Sequence, residues 1–407
     1  EAERLLGTCL RRPGESLRDM FFRHWGTRPF TPTSEDALST FAVDVDTASY
    51  ALARAMLNAG HLPAREQVRV EEFVNYFDAE LAPPTAGTFA LTTELGPSLF
   101  RPQGSQHWLL RVGVKGREVA EHERRAVALT FVVDVSGSMN QGGRLQLVQN
   151  ALRQLLAKLE PADSVAIVKF SNAAELVLPR TSAGQRGVLE AAVAGLASGG
   201  GTNVEGGLVL GFDEASRSFD PEAGNRVVLL SDGVGNIGAT TQEQILARVA
   251  GERAKGIYLN TVGVGLGNHN DAFLEQLANR GDGLCNYVDG PLEAKRALVD
   301  NFLGAFETIA RDVKLQVEFD PQQVGSWRLL GYENRALADR EFRQDAVDAG
   351  EVGSGHAVVA LYELADVRFG EGDLATVRVR FKAPFDGSTP EGATAETAAE
   401  VAAGASA

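Results

Sequence analysis

Ala128-Leu-Thr-Phe-Val-Val-Asp134-Val-Ser136-Gly-Ser138-Met139 is the stretch on which the reading of this chain turns. From Ala128 to Val133 it holds no charged residue, and Thr130 is its one polar side chain. A continuous apolar run of this length predicts a strand covered on both faces, since a strand with one wet face would alternate. The run ends in Asp-x-Ser-x-Ser, which places one carboxylate and two hydroxyls within a single loop. Gly137 lets that loop fold tightly enough for the two hydroxyls to converge. In an open parallel sheet, ligands bind in the crevice at the carboxyl ends of the strands. Hard oxygen donors there suit Mg²⁺, Mn²⁺ or Ca²⁺ rather than zinc.

Working outward, further apolar runs follow at Ser164–Phe170, Arg226–Ser231, Ile257–Val264 and Leu284–Val288. Between them lie amphipathic stretches that predict helices over Leu145–Leu159, Gln185–Leu196, Val204–Phe219, Gln242–Lys255, Asp271–Asn279 and Leu292–Ala310. Apolar strands alternating with helices define an α/β fold with a doubly wound, mostly parallel sheet. Glu175–Pro179 reads as an antiparallel edge strand. Two more loops of this unit carry oxygen donors. Gly199-Gly-Gly-Thr202-Asn203 precedes a helix, and Leu229-Leu-Ser-Asp232-Gly233 ends another buried strand. Taken singly, Asp134, Ser136 and Ser138 are good turn residues, Thr202-Asn203 a good helix cap and Asp232-Gly233 a good turn. Three such loops at one end of one sheet point instead to a shared metal site.

The sequence Asp134-Val-Ser-Gly-Ser-Met, with Gly-Gly-Thr202-Asn and Leu-Ser-Asp232-Gly, resembles in order and spacing the metal-ion-dependent adhesion site of von Willebrand factor A-type (VWA) domains. The resemblance implies direct ligation by Ser136 and Ser138, with Asp134 and Asp232 holding the ion directly or through water. It implies that Thr202 joins in the ligand-competent state. The last position is then left for water or for the Asp or Glu side chain of a protein partner. One departure is Val234, where many relatives carry an acidic or polar residue near the rim of the site.

The flanks extend the resemblance. Phe41-Ala-Val-Asp44-Val-Asp46-Thr-Ala-Ser-Tyr50 and Val70-Glu-Glu-Phe-Val-Asn-Tyr-Phe77 are similar to the N-terminal flank of a bacterial VWA family. The β-rich segment after 311 is similar to that family's C-terminal domain of unknown function. Thr40–Asp44 reads as a strand, Ala48–Ala59 and Val68–Phe77 as helices, and 88–96 and 107–115 as antiparallel strands. Four further strands are expected at Val313–Phe319, Trp327–Tyr332, Ala357–Leu364 and Ala375–Phe381. The expected organisation is an arm over 1–35, an α-rich flank over 36–85, β flanks over 86–125 and 311–385, the VWA domain over 126–310, and a low-complexity tail over 386–407, read as disordered or as a domain cut short. The strands on either side of the α/β unit are expected to pair into one antiparallel β-sandwich. The final helix, joined directly to the second β flank, is positioned to carry a change at the site onward.

Bulk properties narrow the function. The 407 residues carry a net charge of −15, which repels nucleic acid and anionic lipid alike. Two cysteines, Cys9 and Cys285, make no disulfide framework, and six scattered histidines show no zinc-ligand spacing. No run reaches the roughly 20 apolar residues of a membrane span. Any membrane attachment would come through a removed signal or anchor, and the family resemblance implies an exported protein, periplasmic or at the cell surface. Leu6-Gly7-Thr8-Cys9 lacks the apolar region that a lipoprotein signal needs.

The leading expectation is therefore a non-enzymatic, metal-dependent protein-binding module. A second is an accessory subunit docking onto an AAA-type ATPase. A third is a phosphatase centred on Asp44 and Asp46, whose Asp-x-Asp follows a strand. Capping of the next helix by Asp46 or Thr47 accounts for the same residues more simply. Gly263-Val-Gly265-Leu-Gly267 reads as a tight β-to-α turn, because its third glycine comes too early for a dinucleotide loop.

Overall fold

The computed structural model describes residues 26, 28–43, 46–100, 105–233, 242–268, 271–301, 304, 306–344, 349–384 and 394–402. Ahead of the α/β region come β1 (Thr31–Pro32), β2 (Leu38–Ala42), α1 (Ala48–Asn58), α2 (Val70–Tyr76), β3 (Phe89–Pro97) and β4 (His107–Gly116). Within it follow β5 (Val127–Asp134), α3 (Arg144–Lys158), β6 (Ser164–Phe170), β7 (Ala174–Ser182), α4 (Arg186–Ala194), α5 (Val204–Arg217), β8 (Gly224–Gly233), α6 (Gln242–Arg253), β9 (Ile257–Asn268), α7 (Asp271–Arg280), β10 (Cys285–Val288) and α8 (Pro291–Lys295). Behind it lie β11 (Thr308–Phe319), β12 (Val324–Leu330), β13 (Glu351–Gly353), β14 (Ala357–Val367), β15 (Asp373–Lys382) and β16 (Thr394–Ala402).

The central unit includes Asp46–Val68 and Ala120–Glu307. Its six-stranded sheet has the order β10-β9-β8-β5-β6-β7, parallel except for the antiparallel edge strand β7. All eight residues of β5 are buried, as a strand covered on both faces requires. One face packs Phe131, Val133, Leu152 and Leu155 among others; the opposite face packs Val132, Val168, Phe212 and Leu229. Each such side chain, fully removed from water, contributes about 1.5–3 kcal/mol before entropy is counted. From β5 the chain runs to β6 and β7 on one side, then returns through α4 and α5 to β8 on the other. The switch point between β5 and β8 opens at their carboxyl ends, where Asp134 and Asp232 sit.

Helix α5 lies close against this sheet because Gly207 and Gly211 face it. A Cβ at Gly207 would stand 2.6 Å from Phe170, and one at Gly211 would stand 2.4 Å from Val132. The close approach brings the loop that precedes α5 onto the end of β5. Helix α1 also belongs to the central unit. Ala48, Ala51 and Leu52 pack on Tyr287 of β10, and Arg54 bonds Asp289 and Glu293, each at 2.7 Å.

The second unit comprises residues 25–45, 69–119 and 308–407. One antiparallel sheet has the order β1-β12-β14-β4-β3; the other has β13-β11-β15-β16, with β2 added beside β11. The two enclose one core that includes Phe41, Val112, Val317, Phe319, Tyr362 and Val377. Strands from both sides of the α/β region pair directly, β4 with β14 over His107–Ala365 and β2 with β11 over Leu38–Glu318. The fold is thus a doubly wound α/β unit flanked by an antiparallel β-sandwich with a small helical N-terminal piece.

Three expectations are corrected. The segment 36–85 is divided, with α1 in the central unit and α2 in the sandwich. Residues 394–402 form β16, paired with β15 along its length. Its alternation of small residues hides an edge strand from a reading based on large apolar side chains, and Val401 is its one buried anchor. The last helix of the α/β unit does not run to Ala310. It is α8, a π-helical turn over Arg296–Asp300 and helical backbone again at Gly304 and Phe306, and β11 begins at Thr308. The long run of apolar residues there belongs half to a helix and half to a buried strand, which periodicity alone does not separate.

Candidate metal centre

At the end of β5 the Asp134 side chain turns back into its own loop. Its Oδ1 accepts from the Ser136 backbone N–H at 2.8 Å, and its Oδ2 accepts from the Ser231 hydroxyl at 2.7 Å. The carboxyl has no exposed surface. Burial lifts it from the ordinary aspartate range to about 6, against the hydrogen bonds from Ser136 and Ser231 that favour its charged form. The Asp134 oxygens therefore anchor the loop as well as charging it.

The two loop hydroxyls do converge. Ser136 Oγ and Ser138 Oγ are 3.0 Å apart, and Ser138 Oγ donates to Asp232 Oδ1 at 3.0 Å. With the Ser138 proton committed to Asp232, Ser136 is the donor in the hydroxyl pair. The third loop is stitched alongside. Gly137 N–H donates to the Gly200 carbonyl at 3.0 Å, Gly199 N–H to the Val135 carbonyl at 2.7 Å, and Gly201 N–H to Asn172 Oδ1 at 2.7 Å. Asn203 caps α5, accepting from Gly206 N–H at 2.9 Å.

Of the five residues predicted for the site, Asp134, Ser136, Ser138 and Asp232 lie in one linked cluster. Thr202 stands on the loop bonded to Gly137, and among the described residues its side chain makes no hydrogen bond to the other four. Two residues were missed. Ser231 orients Asp134 and is visible only as the middle of Leu-Ser-Asp. Arg144, the first residue of α3, places Nη1 2.5 Å from Asp232 Oδ2 and 3.4 Å from the Ser138 carbonyl. Its signal in the sequence is faint, a lone cation after Gly142-Gly143 at the start of a helix. Val234 lies outside the described residues.

The donor chemistry fits a hard divalent cation. Adjacent oxygens on an octahedral ion with bonds of roughly 2.0–2.1 Å stand about 2.9 Å apart. The Ser136–Ser138 and Ser138–Asp232 oxygen pairs, at 3.0 Å each, already have that spacing. The donors are hydroxyls and carboxylates, with no imidazole or thiol among them, which disfavours zinc.

The other sequence candidates fall elsewhere. Asp46 is buried, and its Oδ1 accepts from Cys285 N–H at 2.8 Å, tying the chain to the end of β10. Thr47, at the cap position of α1, makes no side-chain cap bond. Asp44 and Cys9 lie outside the described residues. Gly263–Gly267 continue strand β9 rather than forming a turn to a helix.

Residues 129–234 match the model of the von Willebrand factor type A domain. Residues 17–111 match a model described as von Willebrand factor, and residues 304–402 match the C-terminal domain of the uncharacterized protein YfbK. The chain carries a VWA domain joined to a YfbK-type C-terminal domain. It is 35% identical over 371 residues to YfbK of Escherichia coli strain K12, covering 89% of this chain and 63% of that protein. It is 28% identical over 215 residues to sll0103 of Synechocystis, covering 52% of this chain and 50% of that protein. The chain therefore spans less than two thirds of the length of either relative. A solved von Willebrand factor type A structure from Catenulispora acidiphila superposes with a TM-score of 0.47 at 17% identity, over 80% of this chain and 74% of that one.

Proposed function

We propose that this chain is a divalent-metal-dependent protein-binding module. Mg²⁺ or Mn²⁺, or in their place Ca²⁺, is held by Asp134, Ser136, Ser138, Thr202 and Asp232. An Asp or Glu side chain of a protein partner completes the coordination. The observation that carries this reading is the run of three oxygens, Ser136 Oγ, Ser138 Oγ and Asp232 Oδ1, spaced 3.0 Å apart at the switch point of the sheet.

Two of those oxygens are neutral hydroxyls. A cation held largely by neutral donors keeps most of its charge and favours an anionic sixth ligand, which a partner carboxylate supplies. The role is recognition rather than catalysis. The VWA relationship suits it, and so does an acidic chain that seeks cations and basic protein patches. An exported location, periplasmic or at the cell surface, belongs to the same reading. Among the described residues no helix is long and apolar enough to cross a membrane.

Isothermal calorimetry with Mn²⁺ and Mg²⁺ on the wild type and on a Ser136→Ala/Ser138→Ala double variant tests it. Saturable binding by the wild type, weakened at least a hundredfold in the double variant, is expected. Equal affinity in the two proteins, or none in the wild type, sinks the metal reading.

A further inference from the structure

The Asp232 carboxylate already has a cation. The Arg144 guanidinium reaches its Oδ2 at 2.5 Å, with only 13% of the Arg144 side chain and 2% of the Asp232 side chain exposed. The pair thus sits largely out of water, where a guanidinium and a carboxylate hold each other more firmly than at the surface.

The chain makes room for this cation. Gly265, near the end of β9, has φ +81°, and a Cβ there would stand 2.1 Å from Arg144 Nε and 2.7 Å from its Cζ. Any side chain at 265 would evict the guanidinium. Arg144 is therefore seated in a slot that a second strand leaves open for it.

We propose that Arg144 is a built-in counter-ion that competes with the divalent metal for Asp232. The inference rests on the metal reading above and adds a control on its affinity. Two buried carboxylates close together destabilise the fold unless positive charge is supplied. The guanidinium supplies one charge from within the chain, fixed by its position at the start of α3. A divalent ion at Ser136, Ser138 and Asp232 brings two charges to the same carboxylate and meets the guanidinium beside it. The two cations repel, so the metal binds more weakly than the oxygen donors alone would allow. The chain gains a site that remains folded without metal and responds to changes in metal concentration.

Arg144→Gln keeps a hydrogen-bond donor near Asp232 and removes the charge. Mn²⁺ titration by calorimetry, and thermal unfolding in EDTA and in Mn²⁺, are run on the purified full chain, wild type and variant. Arg144→Gln should bind Mn²⁺ roughly tenfold more tightly than wild type. It should melt several degrees lower in EDTA and show a larger gain in melting temperature on adding Mn²⁺. Gly265→Ala, which fills the slot and displaces the guanidinium, should also tighten Mn²⁺ binding; it keeps the test alive if Arg144→Gln does not fold. Wild-type binding with equal or weaker affinity in the variant overturns the competition and leaves the metal reading intact. No binding by either protein overturns both.

Discussion

The strand ends of the central sheet and the interior of the β-sandwich both bury polar groups, but they finish them differently. In the sandwich several buried polar groups meet donors or acceptors of the complementary kind. Glu363 accepts from Arg328, His107 and Ser98, and Lys314 Nζ donates to the carbonyls of Glu341 and Gln344. Asn75 of α2 clamps β14, donating to the Val359 carbonyl at 2.9 Å and accepting from Val359 N–H at 2.7 Å. At the ends of β5 and β8, oxygen faces oxygen. Asp134, Ser136, Ser138, Ser231 and Asp232 gather five side chains with lone pairs around one guanidinium. Closed networks of the first kind hold a fold together. An oxygen surplus of the second kind costs stability, and the metal site proposed above is what would account for it.

The sharpest way to break this contrast is to remove the charge at Asp134 while keeping its shape. In Asp134→Asn the side-chain oxygen can still accept from Ser136 N–H and the amide can face Ser231. Mn²⁺ affinity should fall at least a hundredfold by calorimetry. Stability should move the other way. The folded carboxyl is raised to about 6, so above that pH the folded protein holds a buried charge that the unfolded chain holds more easily. This burden grows as pH rises from the ordinary aspartate value toward 6 and is constant above it. At pH 7.5 in EDTA the variant should therefore melt higher than wild type, by about 1–2 kcal/mol after allowance for relaxation. A variant that binds Mn²⁺ normally, or melts lower without metal, would show that Asp134 is a structural cap and not part of an oxygen surplus.

The sandwich should respond in the opposite sense. Asn75→Ala removes both bonds to Val359 and the donor to the Glu71 carbonyl at 2.8 Å. It leaves the Val359 N–H without its acceptor and the Val359 carbonyl with the Tyr332 hydroxyl at 2.7 Å as its remaining donor, which costs about 2–3 kcal/mol. Urea unfolding followed by circular dichroism should show that loss, with Mn²⁺ affinity unchanged within twofold. Loss of metal binding along with stability would mean that the two kinds of network are not separable.

This difference also explains what could be read from the sequence. The apolar run before Asp134 announces a strand buried on both faces, because every residue of it must avoid water. The hydroxyls and carboxylates that follow are legible because their type and spacing serve chemistry rather than packing. Arg144 and Ser231 escaped because their importance arises only when α3 and β8 meet the loop in space. The same holds for Asp46, whose partner Cys285 lies across the unit, and for Asn75, whose partner is a peptide of β14. Strand β16 escaped for a different reason. Alanine and threonine on an edge strand give no hydrophobic signal, and its place is set by pairing with β15.

His356 offers the mildest test, because at that one position of the sandwich a second positive charge is disfavoured beside the Lys115 ammonium. Burial and the neighbouring Lys115 ammonium hold its imidazole down to about 4, so it is neutral in the fold at physiological pH. Lys115 itself is tied down, its Nζ donating to the Gly355 carbonyl at 2.7 Å, and cannot easily move away. The unfolded chain takes up a proton near the ordinary histidine value, whereas the folded chain resists it until about 4. The contribution to stability is therefore complete above the unfolded value and is lost as pH falls from about 6.5 to about 4. Partial exposure trims this loss to about 1–2 kcal/mol. In His356→Gln that loss disappears, and the acid limb of a melting curve measured between pH 7.5 and 4.5 should be shallower than in wild type by a few degrees. Parallel limbs in the two proteins would mean that the imidazole gains its proton as readily in the fold as out of it, and that neither burial nor Lys115 holds it neutral.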